Sequence, residues 1–459
     1  MEFIGFAIAI AVGVVAVTVH FARWARARED WQEVARRLGL AFEKGGVLRS
    51  DSVTGRLGSR SVRLDRFSRG SGKTRQTFTR VRIDARGRVP RDLTIGPEGF
   101  VASIQKAFGG QDVETGDLAF DDKARVRGDE ARSIALLGEA VRRRLLARLP
   151  EFTVRNGEVY YEERGYGVGA SRIASLIEDM AELSNALEIE DSEIPARLLE
   201  NVRADGEAAV RRKSIEALAA RHSDRKECAE AARHALRDRD AGTRLAAAEV
   251  AGGDAAFEAA EAVVADPSAP AETRARAIEF VARRFDAGRA GPVVAGALGE
   301  EGPVALSAAR AAGRLRYAPA VPRLSSLARA ARVDVAREIV IALGAIGDPN
   351  GEQAAIEALE AADDGVRVAA ARTLAKIGTV AAVEPLLPLT KGILPAGELR
   401  AAAAAAVRAI QSRLRPGERG SLSVTEILSA DGSLSLPEDE AGRVSLEDPA
   451  RRAGEAEPP

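Results

Sequence analysis

One spacing constrains this chain more than anything else in it. Val210, Thr243, Thr273, Val304, Val335, Val366 and Leu399 follow one another at intervals of 33, 30, 31, 31, 31 and 33 residues. An arginine comes directly after five of the seven, as Arg211, Arg244, Arg274, Arg367 and Arg400; Ala305 and Ala336 are the exceptions. Four residues beyond each start stand Ser214, Ala247, Ala277, Ala308, Ile339, Ala370 and Ala403, small in six of seven. Eight beyond stand Leu218, Ala251, Val281, Ala312, Leu343, Leu374 and Val407, all apolar. On an α-helix these three positions lie one turn apart along one face. The face is therefore packed against a neighbour, and the small residue lets that neighbour approach. Each helix breaks at glycine or proline, as at Gly347-Asp348-Pro349 or Gly378, and a second apolar-periodic stretch follows, such as Val383, Leu386 and Leu387. A helix-turn-helix unit of this length cannot bury its apolar face alone and must stack. The spacing predicts an α-solenoid over 195–415.

The stretch from Asp364 to Gly378, with Val366, Arg367, Ala370, Leu374 and Ile377, resembles the consensus of short bacterial HEAT-like repeats of the kind found in phycobilin lyases. Val335 to Gly347 is similar. The units starting at Thr243 and Val304 depart most, because Gly252-Gly253 and Gly313 loosen their helices. The resemblance implies that the recurring arginine is structural, pairing with an acidic residue or carbonyl of the neighbouring unit. It also leaves open a tetrapyrrole (bilin) lyase-like enzyme. Such a pocket would need aromatic and cationic contacts on the second helices, where aromatics are few.

The N-terminus carries a different signal. Phe3 to Ala22 has no formal charge apart from the titratable His20, and twenty helical residues span about 30 Å, one hydrocarbon core. Arg23, Trp24, Arg26 and Arg28 follow as a cationic, aromatic interface flank, against only Glu2 and the terminal amine on the other side. The positive-inside bias then predicts a single-pass anchor over 1–24 in the cytoplasmic (inner) membrane, with the bulk of the chain in the cytoplasm. A cleaved signal peptide would carry its positive charge before the apolar run. Gly5, Ala9 and Gly13 recur every four residues, which would let two such helices meet as a homodimer.

Between anchor and repeats, 29–190 reads as a small α+β domain. Residues 29–40 form a helix with Trp31, Val34 and Leu38 on one face, stopped by Gly39. Segments 53–58, 60–67, 77–84 and 92–96 read as strands, 98–108 and 129–149 as helices, the latter capped by Asp129. Two more strands, 152–156 and 158–164, flank the hairpin turn Asn156-Gly157, and a helix over 170–187 closes the unit. From Trp31 to Leu187 the sequence resembles domains of uncharacterised bacterial membrane-anchored proteins, through its opening Trp-bearing helix and the stretch Glu114-Thr115-Gly116-Asp117 leading to Phe120-Asp121. That resemblance implies no activity. Gly70-Ser71-Gly72-Lys73-Thr74 matches the end of a phosphate-binding loop, but Phe67 stands where the first glycine belongs, and an alternating strand follows instead of a helix. It reads as a basic hairpin tip. Asp117, Asp121 and Asp122 fit no metal-loop spacing and read as caps and solvated turns.

Composition narrows function further. The net charge of −1 supplies no field that would condense on nucleic acid, so none is expected as a partner. Eight of the 67 basic residues are lysine, a bias of coding composition rather than a phosphate site. A single cysteine, Cys228, excludes an internal disulfide. Cys228 and His234 lie too far apart on one helix to share a metal. No catalytic constellation, cofactor or metal site is visible. The acidic stretch 416–459 reads as a disordered tail. In it Gly420-Ser421-Leu422-Ser423-Val424, Gly432-Ser433-Leu434-Ser435-Leu436 and Gly442-Arg443-Val444-Ser445-Leu446 alternate like segments that add a strand to a sheet edge, around Leu422, Leu434 and Val444. The expectation is a mainly α chain with a transmembrane helix, an α+β domain and a solenoid. It would serve as a membrane-tethered scaffold that binds proteins, with a lyase-like enzyme or an envelope assembly component as alternatives.

Overall fold

The structure, a computed structural model, describes residues 2–46, 50–71, 74–84, 88–97, 111–149, 151–391 and 397–414, with side chains from Thr18 onward except His20 and Gln111. It divides into two compact units, Met1–Ile346 and Gly347–Pro459. It is mainly helical, with a helical repeat region and an N-terminal sheet domain.

The first helix, α1 (Glu2–Leu38), is continuous over 37 residues and absorbs the segment expected to be a separate helix over 29–40. Gly39, at φ +66, ends it as expected. Among the described residues no helix is long and apolar enough to cross a membrane. The expected transmembrane helix, its orientation and the inner-membrane location are corrected accordingly. In the described part of α1, exposed Arg23 and Arg26 and half-buried Arg28 share the helix with a buried face of Ala27, Trp31, Val34 and Ala35 seated on a sheet, so this stretch serves the folded domain. The side chains up to Val17, among them Gly5, Ala9 and Gly13 of the expected dimer contact, lie outside the described ones.

The sheet holds nine strands among the described residues: β1 (Ala41–Glu43), β2 (Ser52–Leu57), β3 (Arg60–Arg69), β4 (Gln76–Asp84), β5 (Thr94–Gly96), β6 (Gln111–Val113), β7 (Arg125–Gly128), β8 (Phe152–Arg155) and β9 (Glu158–Arg164). Their order is β1-β2-β3-β4-β9-β8-β5-β7-β6, antiparallel throughout. Val62, Leu64, Val81, Ile83, Val159 and Tyr161 alternate toward α1 and the helix Ala170–Ala186, where Trp31, Ile173, Ile177 and Met180 complete the core. Trp31 Nε1 donates to the Gly167 carbonyl at 3.1 Å, satisfying the one polar atom of a fully buried indole. Asn156 and Gly157, at φ 54 and 79, make the expected tight turn between β8 and β9. The Gly70–Thr74 segment sits between β3 and β4, paired from Arg69↔Gln76 onward, so a strand follows it, while Lys73 lies outside the described residues. So does the helix expected over 98–108.

The helix expected over 129–149 is two helices, Glu130–Leu136 and Glu139–Arg148, broken at Leu137-Gly138. The break receives Asn201 of the helix Ile194–Ala204. Asn201 Nδ2 donates to the Ile134 carbonyl at 2.9 Å, and a Cβ on Gly138 would stand 2.8 Å from Asn201 Oδ1.

The repeat region pairs first helices with second ones, the first being the longer except where Ala241–Ala251 precedes Gly253–Ala265. Within the first unit these are Ala208–Arg221 with Lys226–Ala235, Ala241–Ala251 with Gly253–Ala265, Ala271–Arg284 with Ala287–Ala297, Gly302–Leu315 with Val321–Leu327, and then Val333–Ile346. The second unit contributes Glu352–Glu357, Asp364–Ile377, Val383–Thr390 and Gly397–Arg413. Every +4 residue, from Ser214 to Ala403, is at most 1% exposed. The +8 residues are equally buried except Ala251, which is exposed because its helix stops at Gly252, φ 65. Gly313 admits the next helix, since a Cβ there would lie 3.0 Å from Ala342 Cα.

Candidate functional site

The recurring arginines begin the site, because they stand where one repeat meets the next. Arg211 forks onto Asp238 with Nε and Nη2 at 2.7 Å each, and its Nη1 donates to the carbonyls of Asp205 and Gly206 at 3.0 and 3.1 Å. Arg244 repeats the pattern, with Nη1 on the carbonyls of Asp238 and Arg239 at 2.9 and 3.1 Å and Nη2 on Asp266 at 2.9 Å. Arg274 donates from Nε to the Val264 carbonyl at 2.8 Å and forks onto Glu300 at 3.3 and 2.9 Å. Arg211 and Arg244 thus tie the turn before their own helix, and Arg274 the last turn of the preceding helix, to the residues just after the following second helix. Arg367 differs: it pairs with Asp364, three residues back in its own helix, at 2.9 Å. Arg400 is exposed on Gly397–Arg413 and is also engaged.

The electrostatics follow the geometry. The hydrogen bonds it donates to Asp238 hold the Arg211 guanidinium above its ordinary value. Burial pushes the Asp238 carboxyl up, but the Arg211 fork and the Asp240 backbone N–H outweigh it and hold it below the usual carboxylate range. Asp266 is lowered by Ser268 first and Arg244 second, Glu300 by Arg274.

The ladder continues backward into the sheet domain through a residue that the period does not include. Arg142, 1% exposed, donates from Nη1 and Nη2 to Asp205 at 2.8 and 3.0 Å, from Nε to Asp117 at 2.8 Å, and from Nη1 to the Leu137 carbonyl at 2.7 Å. Burial pulls its pKa down, and the bonds it donates to Asp205 and Asp117 more than reverse this. Around it the loop Glu114-Thr115-Gly116-Asp117 rests on the first repeat helix. Lys213 Nζ donates to the Glu114 carbonyl at 2.7 Å, and Gly116, at φ +95, lies so close that a Cβ would meet Ala209 Cβ at 2.9 Å. Asp121 accepts the N–H groups of Thr115 and Gly116, and Asp117 caps the helix Leu118–Asp121. Arg221 reaches Asp129, the cap of Glu130–Leu136. Among the described residues no group of three His, Cys, Asp or Glu converges on a metal position.

The residues expected at a membrane interface are placed beside the sheet. Arg28 forks onto the fully buried Asp51 at 3.1 and 2.9 Å and lies 3.8 Å over the Trp24 ring, while Arg23 and Arg26 are exposed. Cys228 is buried, which pushes its thiol up, and His234 is exposed. Few aromatics were expected on the second helices. Phe257 of one is buried and packs edge-on against half-buried Phe285 at 5.0 Å, with exposed Arg289 4.3 Å above it. Leu422, Leu434 and Val444 lie outside the described residues.

What the first helices of the first unit present outward is a column six residues after each of the five starts there: Glu216, Glu249, Glu279, Arg310 and Ile341. Neighbouring helices are laced there, with Arg276 on Glu249 at 3.4 Å, Ser307 on Glu279 at 3.4 Å and Arg310 on Glu338 at 3.1 Å. Ile341 is 44% exposed, unusual for a large apolar side chain in this region.

The family model described as HEAT repeats matches residues 322–408. No curated protein matches the chain. Among solved structures, an engineered protein is similar at 18% identity over 66% of this chain and 93% of its own, with a TM-score of 0.36. A second engineered protein is similar at 21% identity over 49% of this chain and 98% of its own, TM-score 0.28. Human deoxyhypusine hydroxylase in complex with glycerol is similar at 19% identity over 46% of this chain and 86% of its own, TM-score 0.24. None of these scores is high enough to assign an arrangement or an activity to this chain.

Proposed function

We propose that this chain is a protein-binding scaffold whose recognition surface is the outward column of the first helices, from Glu216 to Ile341. The observation that carries the reading is a division of labour along each repeat. The +4 positions, every start but half-exposed Thr273, and the arginines of the first repeats are consumed by packing. The +6 position is solvent-facing or half-exposed and changes chemistry from acidic to basic to apolar along the array. A surface that varies on a constant support is how stacked repeats acquire a partner. Here it offers an acidic stretch that would steer a basic partner and an apolar side chain, Ile341, at its end. The sheet domain, tied in through Arg142, would cap the first repeat and keep its apolar face from solvent.

The test uses the full chain in cells with a photo-crosslinking residue at Ile341 and, as control, at exposed Arg56 on the sheet. A specific protein should crosslink from position 341, and the double variant E249R/E279R should reduce it by roughly tenfold or more. Glu249 pairs with Arg276 at the exposed surface and Glu279 is half-exposed, so the melting temperature of the variant is compared with that of the wild type to separate loss of binding from loss of fold. Equal crosslinking from both positions, or no effect of the charge reversal, removes this surface as the recognition site.

A further inference from the structure

Three consecutive repeats fill the gap between themselves and the next with their own arginine, and the fourth leaves it open. Arg211, Arg244 and Arg274 each follow the repeat start by one residue. At that position the fourth repeat has Ala305, 4% exposed. The acid is missing as well. Glu300 stands 26 residues after Arg274, whereas the residue at that distance from Ala305 is Ala331. What remains is an open cleft of about 330 Å³ whose walls include Leu298, Ala305, Leu327, Val335 and Ile339.

The polar half of the rung is still there. Arg211 and Arg244 each bond the carbonyls six and five residues before themselves. Relative to Ala305 those positions are Gly299 and Glu300, both at the cleft. Glu301, also at the cleft, makes no ion pair among the described residues, whereas Glu300 is held by Arg274. Arg332 on the opposite rim is turned to Asp334 at 3.6 Å. Arg323 comes against Gly299, yet no hydrogen bond joins it to either carbonyl among the described residues.

We propose that this cleft is a pocket for one arginine side chain presented by a protein partner. Its methylenes would lie on Val335 and Ile339, and its guanidinium would take the Gly299 and Glu300 carbonyls and the Glu301 carboxylate. The fork is what distinguishes arginine from lysine here, because two carbonyls one residue apart plus a carboxylate match several fixed N–H directions. An aliphatic side chain would fill the walls but leave Glu301 without a partner. The pocket rests on the scaffold reading and names what that scaffold's partner must carry.

The probe is the blocked tripeptide acetyl-Ala-Arg-Ala-amide, titrated onto the full chain and followed at the methyl groups of Ile339 and Val335. Saturable shifts are expected with arginine, weaker by roughly tenfold with citrulline, which lacks the charge. Ala305→Arg should abolish them by supplying the rung from within. Glu301→Gln keeps the cleft open, should weaken binding by roughly tenfold, and decides the matter should A305R fail to fold. Equal binding of citrulline, no saturable shift in the wild-type chain, or undiminished binding in both variants would overturn the pocket. Crosslinks from Ile341 that persist in A305R would leave the scaffold standing without it.

Discussion

Arg211 and Arg367 occupy the same place in the repeat, and their surroundings make them energetically unlike. Arg211 and Asp238 keep only 5% and 9% of their side-chain surface exposed. Removing one partner leaves the other buried and unpaired, which costs about 3–5 kcal/mol. Arg367 and Asp364 keep 26% and 56%, and an exposed pair contributes about 0.2–1 kcal/mol. Arg211→Ala should therefore lower the urea midpoint of the full chain severely and Arg367→Ala barely. Equal losses would mean that the ladder is decorative. Arg142 extends the argument, since it neutralises two carboxylates at once and Asp205 is itself only 1% exposed. Arg142→Met should cost at least as much as Arg211→Ala, in the same measurement. The period brings Arg211 and Arg367 to notice but not Arg142, which belongs to no repeat. Nor can it grade them, because burial is set by partners more than twenty residues away.

At the scale of elements, the repeat period and the alternating segments bounded by turn residues were legible, down to the four-residue β8 beside Asn156-Gly157. The first helices of the repeats sit where the spacing puts them, because three residue classes held one register. β1, β6, β7 and the helix Leu118–Asp121 went unread, since three or four residues carry little period of their own and no hairpin turn marks these as Asn156-Gly157 marks β8. The anchor failed for the opposite reason. An apolar run was read as complete in itself, whereas the helix runs on to Leu38 with its buried face set by Ala27, Trp31 and Val34. The stretch Glu114 to Asp117 had a sequence cue without a meaning, and the structure supplies one in its contact with the first repeat helix. Gly116 at φ +95 has Ala209 Cβ and C at 2.9 and 3.0 Å from the place of a side chain. Gly116→Ala should therefore cost about 1–3 kcal/mol through strain and overpacking. The loss should appear as faster amide exchange in Ala208–Arg221, with the strands β2 to β4 unchanged. Uniform exchange across both would mean that the loop is not a separate support.

For the whole molecule the consequence is a dependence on acid. Asp51, Asp117, Asp129, Asp238, Asp266 and Glu300 all lie in the first unit, and each has a carboxyl held below its ordinary value. For the first four, burial opposes ionisation and is outweighed by guanidinium and backbone N–H donors. For the last two, hydrogen bonds from Ser268 and Arg274 lead. A carboxyl lowered in the folded state binds fewer protons there than in the unfolded chain, so stability rises with pH across the window between the two values. The contribution is complete above the unfolded carboxylate range, about 4, and is lost as pH falls through the folded values. The melting temperature should be nearly flat from about pH 7 to 5 and fall steeply below about 4. Asp238→Asn should lower the plateau and make the acid limb shallower, because one of the protons is no longer taken up. Hydrogen exchange should report the loss first in Ala208–Arg221 and Ala241–Ala251, the helices joined through Arg211, Asp238 and Arg244. A melting temperature that holds down to pH 3, or that falls on raising the pH from 5 to 7, would mean that these carboxylates are not what joins the repeats.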